Sequence, residues 1–388
     1  MHKYIPRELE KDIREYLRIF PAVVLLGPRQ CGKSTLAKKI QQGRGSSVYL
    51  DLEKPSDLKK LTDAELFFEG HKDDMVFLDE IQKDPTLFSS LRSVIDENRK
   101  NGKFILLGSA SRDLIQNSSQ TLAGRVGFLE LTPFTVEELQ PKNMADLKKQ
   151  WIRGGFPESI LAPTEENSRV WRDNFIRTYI ERDLPQLGFS IPAPTWRRFL
   201  LLVAHLHGQT VNLSKIGDSF GVKHPTVKHY LDILEETFIL RQIQPFESNI
   251  KKRLVKAPKI YFRDSGLLHQ MLEIQDFDHL LGHPSFGASW EGFVIENILN
   301  NCHGWKYSFY RDSHGNELDL VLEKGGKKVA IECKASKAPT PEKGFWNSLE
   351  ALQIKEAWVI APTQDCYEIK KGVRVAGLPY FLNTIHAK

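Results

Sequence analysis

Gly27-Pro28-Arg29-Gln30-Cys31-Gly32-Lys33-Ser34 follows the apolar run Ala22 to Leu26 and leads into Thr35 to Ile40, which has a helical composition. A strand apolar on both faces that turns through glycines into a helix points to a parallel, helix-covered α/β sheet. The same order carries a chemical meaning. Gly27 and Gly32 let backbone N–H groups converge on a triphosphate, Lys33 reaches the β and γ oxygens, and the Ser34 hydroxyl ligates Mg2+. The N-terminal end of the following helix favours the same anion. The residues expected around the phosphates are Gly27, Pro28, Arg29, Gln30, Cys31, Gly32, Lys33, Ser34 and Thr35, and the cofactors expected are ATP and Mg2+.

Downstream, Met75-Val76-Phe77-Leu78-Asp79-Glu80 is an apolar strand that ends in two carboxylates. Asp79 is expected to hold Mg2+ through water, and Glu80 to orient and deprotonate the attacking water. Lys103 to Leu107 reads as another buried strand ending in small hydroxyl residues, with Ser109 or Ser111 as a γ-phosphate sensor. Leu122-Ala123-Gly124-Arg125 follows, and a guanidinium offered to a neighbouring subunit's nucleotide stabilises transition-state charge. Arg125 in that role requires an oligomer.

The order of these motifs resembles the AAA+ ATPases. Tyr4-Ile5-Pro6-Arg7, the Gly27 to Gln30 lead-in, Leu122 to Arg125, Leu131-Thr132-Pro133-Phe134, Gly154-Gly155-Phe156-Pro157-Glu158 and Tyr179 to Leu184 are similar to one prokaryotic group with a C-terminal domain of unknown function. The resemblance spans nearly the whole chain and implies ATP hydrolysis in a ring, as a hexamer.

At 388 residues the chain suits two or three domains, and 41% hydrophobic with 27% charged residues is ordinary globular material. No apolar run approaches the ~20 residues of a membrane helix, and Lys3, Arg7 and Glu8 are not followed by a signal-peptide core. A cytoplasmic location is expected. Cys31, Cys302, Cys333 and Cys366 stand singly and read as reduced thiols; an oxidised or alkylated Cys31 would obstruct nucleotide.

Residues 196 to 246 read as a winged helix built on a helix-turn-helix: Trp196 to His207, then Leu213 to Phe220 with Leu213-Ser214 at its start, the Gly221 turn, and His224 to Thr237. The third helix is expected to present Lys223, His224, Thr226, Lys228 and His229, with Val227, Leu231 and Leu234 inward and Phe238 to Pro245 as a wing strand. Beside it, Lys251, Lys252, Arg253, Lys256, Lys259 and Arg263 form an acid-free basic run within a chain of net charge +5. Such a run neutralises phosphates, so DNA is the expected partner.

The C-terminal part carries a helix with Glu291 and Glu296, then strands Trp305 to Arg311, Glu317 to Leu322 and Lys328 to Lys334. An acid at the start of one strand followed by Glu-x-Lys at the end of the next resembles the PD-(D/E)xK nucleases of restriction-endonuclease-like fold. Alternation puts Glu332 and Lys334 on one face, with Asp319 brought beside them. The resemblance implies that Asp319 and Glu332 share Mg2+, that Lys334 acts on a metal-bound water, and that Glu291 or Glu317 completes the shell.

The expected architecture is an α/β AAA+ P-loop core with a parallel sheet at 1–145, a helical lid at 146–190, a winged helix at 191–281 and a nuclease-like α/β domain at 282–388. The expected function is ATP hydrolysis coupled to remodelling or translocation of DNA. An ATP-gated Mg2+-dependent nuclease and a nucleotide-controlled protein-interaction switch are the alternatives.

Overall fold

A computed structural model of the chain describes residues 4–43, 45–108, 121–187, 189, 191–246 and 256–386. The chain forms two compact units, one holding the N-terminal residues to Phe134 with Glu236–Phe238, the other Thr135–Glu235 and the chain from Ile239 onward.

The first unit is built on five parallel strands, β1 (Ala22–Leu26), β2 (Ser47–Asp51), β3 (Met75–Asp79), β4 (Phe104–Leu107) and β5 (Val126–Glu130), in the order β2-β3-β4-β1-β5. All residues of β1, β3 and β4 are buried, as continuous apolar runs require in a sheet covered on both faces. Helix Leu9–Ile19 buries Leu9, Ile13 and Leu17, one face at four-residue spacing, and helix Leu87–Glu97 buries Leu87, Leu91 and Ile95 in the same way. Each such side chain contributes roughly 1.5–3 kcal/mol. Val24 and Leu78 both lie level with Leu106, so β1 and β3 end together on the carboxyl edge. That edge carries the phosphate loop and Asp79.

The second unit begins with helices Met144–Arg153 and Glu165–Thr178. Three helices follow, Ala193–His205, Leu213–Phe220 and His224–Glu236, then the antiparallel pair β6 (Leu240–Ile243) and β7 (Lys259–Phe262). Asn212, not Ser214, caps the middle helix by accepting the Lys215 N–H at 3.0 Å, and Gly221 ends it at φ 67. The expected wing strand is shorter than Phe238 to Pro245, because only Leu240 to Ile243 finds ladder partners in β7.

The segment expected as a lid on the ATPase core belongs to this second unit. Its Trp151 indole donates to Ser289 Oγ at 2.8 Å and packs 4.9 Å from Trp290, while Arg172, fully buried, donates to the Ile152 and Gly266 carbonyls. Gly154, at φ 75, sits where a Cβ would meet Asp264 Oδ1 at 2.2 Å, and the Gly155 N–H donates to the same carboxylate. This contact accounts for the glycine at position 154. His269 donates from Nδ1 to the Ile152 carbonyl and accepts from Ser289 at Nε2; burial holds its pKa down at about 3, so it stays neutral.

The rest of the unit is a six-stranded sheet of β8 (Lys306–Arg311), β9 (Glu317–Lys324), β10 (Lys327–Cys333), β11 (Glu356–Ala361), β12 (Cys366–Lys370) and β13 (Val373–Gly377), in the order β12-β13-β11-β10-β9-β8. Ala357 and Val359 pack with Phe345 and Leu349 of helix Lys343–Leu352. The alternating residue Trp358 instead meets Phe381 at 5.3 Å, so the sheet is covered on both faces.

Candidate nucleotide site

The loop after β1 is shaped by its glycines. Gly27 has φ 151 and lies where a Cβ would come within 2.1 Å of the Leu131 carbonyl oxygen, so no side chain fits there. Gln30 at φ 61 and Gly32 at φ 105 turn successive amides toward one side. Helix Lys33–Gln42 begins at Gly32 without a side-chain cap, which leaves its first N–H groups to an anion. The Lys33 ammonium, 6% exposed, donates to the Gly27 and Pro28 carbonyls at 2.9 and 2.8 Å. Pro28 is buried, Arg29 and Ser34 are half-buried, and Gln30 and Thr35 are exposed.

Two residues that the motifs did not single out complete this edge. Arg7, from the Tyr4-Ile5-Pro6-Arg7 stretch, donates to the Cys31 carbonyl at 2.9 Å and the Thr132 carbonyl at 2.5 Å, and its guanidinium lies 4.7 Å over the Phe134 ring. It ties the loop to the chain leaving β5. Tyr49 on β2 donates its hydroxyl to Asp79 Oδ2 at 2.5 Å. Burial, then the Asp79 hydrogen bond and charge, raise the Tyr49 pKa, so the hydroxyl keeps its proton. Asp79, one of the two residues expected at Mg2+, is therefore held by a phenol.

Asp79 is buried at the end of β3 and accepts the Glu80 N–H at 3.1 Å. Glu80 takes the left-handed conformation at φ 58, an uncommon state for a non-glycine residue, and accepts a bond from the Gln82 amide. Ser109 and Ser111 lie outside the described residues. Arg125 makes a two-point pair with Asp96, at 2.6 and 2.8 Å, within its own unit. The Cys31 thiol is fully buried and donates to the Leu131 carbonyl at 3.3 Å, an arrangement that protects it from reagents. All four cysteines are free.

In the second unit, Lys223 and Lys228 are exposed and Thr226 is half-buried, while Val227, Leu231 and Leu234 are buried. Lys251, Lys252 and Arg253 lie outside the described residues. The basic run does not act as one surface: Lys259 and Arg263 are buried in ion pairs with Glu291 and Glu296. Lysines at the edge of a strand pair read as solvated in sequence because their acidic partners are ~30 residues away.

The acidic residues of the C-terminal sheet do gather. The register that pairs Ile331 with Leu320 carries on to bring Glu332 across from Asp319, and Lys334 Nζ is 3.0 Å from Glu332 Oε1. A lysine enters this acidic cluster. Lys259 Nζ sits 2.9 Å from Glu291, 2.6 Å from Glu317 and 3.8 Å from Asp319, and Asp319 Oδ2 accepts the Cys333 N–H. Among the described residues, no group of three or more His, Cys, Asp or Glu is arranged to hold a metal ion.

Residues 20–140 match the model of the AAA domain, residues 144–278 a domain of unknown function (DUF8612) and residues 286–381 another domain of unknown function (DUF4143). Uncharacterized proteins of Mycobacterium bovis and Mycobacterium tuberculosis are each 36% identical over 378 residues, covering 97% of this chain and 85% of theirs. An uncharacterized protein of Methanocaldococcus jannaschii is 26% identical, over 87% of this chain and 79% of its own. Among solved structures, the Walker-type ATPase of Pyrococcus abyssi is similar at 17% identity over 69% of this chain and 96% of that one, with a TM-score of 0.47. No helix among the described residues is long and apolar enough to cross a membrane. The chain belongs to the family of these mycobacterial proteins, and it is a P-loop ATPase of the AAA type that carries domains of unknown function after its ATPase core.

Proposed function

We propose that this ATPase turns over Mg2+-ATP to rearrange DNA held by its second unit. In the nucleotide site, Lys33 binds the β and γ oxygens, Ser34 and Asp79 hold Mg2+, and Glu80 takes the proton of the attacking water, with Tyr49 fixing Asp79 and Arg7 the loop. The observation that carries the DNA half is the helix His224–Glu236. One of its faces is buried through Val227, Leu231 and Leu234, while Lys223, His224, Lys228 and His229 remain exposed, and its first acid is Asp232. The order of three helices and an antiparallel pair supports a winged helix, and such a basic helix face suits a phosphate backbone or groove.

ATP turnover with single-stranded, duplex and four-way-junction DNA tests this reading. Stimulation by one DNA form, reduced at least several-fold in Lys223→Glu/Lys228→Glu and steeply weakened by salt, is the expected result. Equal turnover with and without every DNA form contradicts it. A ring in which Arg125 reaches the neighbouring nucleotide belongs to the same proposal and requires the Arg125–Asp96 pair to open. Turnover per protomer that rises with protein concentration, and falls ~10³-fold or more in Arg125→Ala, is then expected. Lys259 lies 3.8 Å from Asp319, one member of the metal pair that the nuclease alternative requires, and no observation favours the protein-interaction switch.

A further inference from the structure

The acidic cluster of the C-terminal sheet is built around a lysine. Lys259 is the first residue of β7, and two-residue alternation places Tyr261 on the same face, where its hydroxyl donates to Glu291 Oε1 at 2.5 Å. The Lys259 side chain is 4% exposed, and its three N–H donors have Glu291 and Glu317 within hydrogen-bond distance and Asp319 just beyond. The Phe309 ring closes a further side, 5.6 Å from the nitrogen. Three carboxylates and one aromatic ring therefore enclose a single nitrogen.

A divalent cation bound by carboxylates lies about 2.0–2.6 Å from their oxygens. A cation shared by Glu291, Glu317 and Asp319 would fall in contact with Lys259 Nζ, so the two cannot be present together. We propose that Lys259 is a built-in cation standing where a divalent metal would bind, so that this cluster clamps the β6–β7 pair to the C-terminal sheet and does not cleave phosphodiesters. Removing its charge opens a divalent-cation site that the native chain lacks. This holds whether or not DNA is the partner of the ATPase.

The clamp is reinforced nearby. Gly292, one residue after Glu291, is where a Cβ would come within 2.2 Å of His207 Nε2, and His207 Nδ1 accepts the Phe262 N–H. The helix Phe286–Asn301 therefore approaches His207, which is bonded to β7, at a distance that only glycine allows.

The test uses the full chain carrying Lys33→Ala, without nucleotide, so that the phosphate loop contributes no magnesium complex. Mn2+ alone is titrated calorimetrically into this parent and into the same chain with Lys259→Gln. The expected result is no Asp319-dependent Mn2+ binding in the parent, and in Lys259→Gln a new site at least tenfold tighter than any in the parent, lost again on adding Asp319→Asn. A parent that binds Mn2+ through Asp319, or that nicks supercoiled DNA with Mg2+ or Mn2+ in an Asp319-dependent way, overturns the proposal. So does a folded Lys259→Gln with no added site. Should Lys259→Gln not fold, Lys259→Gln/Glu291→Gln/Glu317→Gln removes the matching charges. Native tryptophan emission from that triple variant supports the proposal, and an unfolded triple variant refutes it.

Discussion

Glu296→Gln isolates a buried charge cluster of the second unit. Arg241 on β6 grips Glu296 at 2.7 and 2.9 Å, and Arg263, just past β7, adds a third bond at 2.7 Å. Burial by itself would raise the Glu296 carboxyl, yet the charges and hydrogen bonds of the two arginines overcome it and hold the pKa at about 2, against 4.5 ordinarily. At ~1.4 kcal/mol per pH unit, that depression is worth about 3 kcal/mol. Little of it is screened, since the Glu296 side chain is 9% exposed. Gln keeps the shape but leaves two guanidiniums without their carboxylate, a change that costs about 3–5 kcal/mol in buried pairs. The folded pKa lies below the unfolded one, so this stability is complete above pH ~4.5 and is lost as pH falls toward 2. All 7 tryptophans (Trp151, Trp171, Trp196, Trp290, Trp305, Trp346 and Trp358) belong to the second unit, so urea unfolding followed by their emission reports that unit alone. At pH 7 the variant should be less stable by about 3 kcal/mol, with a melting temperature lower by roughly 6–12 °C, and the gap should close between pH 4.5 and 2. A gap under ~1 kcal/mol at pH 7, or one independent of pH over that window, refutes the reasoning.

Other changes probe separate parts of the account. Gly292→Ala forces a methyl into His207 and should destabilise the second unit by about 1–3 kcal/mol in the same urea experiment, with the nucleotide site unaffected. Tyr49→Phe removes the hydroxyl that holds Asp79; the Mg2+ concentration for half-maximal ATP turnover should rise about 10-fold or more, read from a magnesium titration at saturating ATP. Arg7→Ala releases the Cys31 and Thr132 carbonyls, and the KM for ATP should rise on the order of tenfold. Arg7→Lys should not restore it, because an ammonium cannot make the same planar fork over Phe134.

The parts of the structure legible in the sequence are those where neighbours in the chain do the work. The Gly27 to Ser34 loop and the Asp79-Glu80 pair stand beside their own strands, so burial of β1 and β3 and the turn into the helix at Lys33 could be read locally. The alternation that sets Glu332 and Lys334 on one face was legible for the same reason. Long-range partners were not. Tyr49 reaches Asp79 across 30 residues, Arg7 reaches Thr132 across 125, and Lys259 finds Glu291 across 32. A lysine beside other lysines carries no local sign that the fold will bury it among carboxylates. The helical segment after Phe134 misled in a related way: Trp151 and Arg172 look like any amphipathic helix residues, and only Ser289, Gly266 and Asp264, far along the chain, fix which unit they join.

The central claim is that ATP is split at the carboxyl edge of the first sheet by Lys33, Asp79 and Glu80. Phosphate release from Mg2+-ATP, measured beside ATP binding for the parent and Glu80→Gln, tests it most directly. Turnover should be about 10²-fold or more slower in Glu80→Gln with nucleotide affinity retained. Parent-like hydrolysis by Glu80→Gln would contradict it.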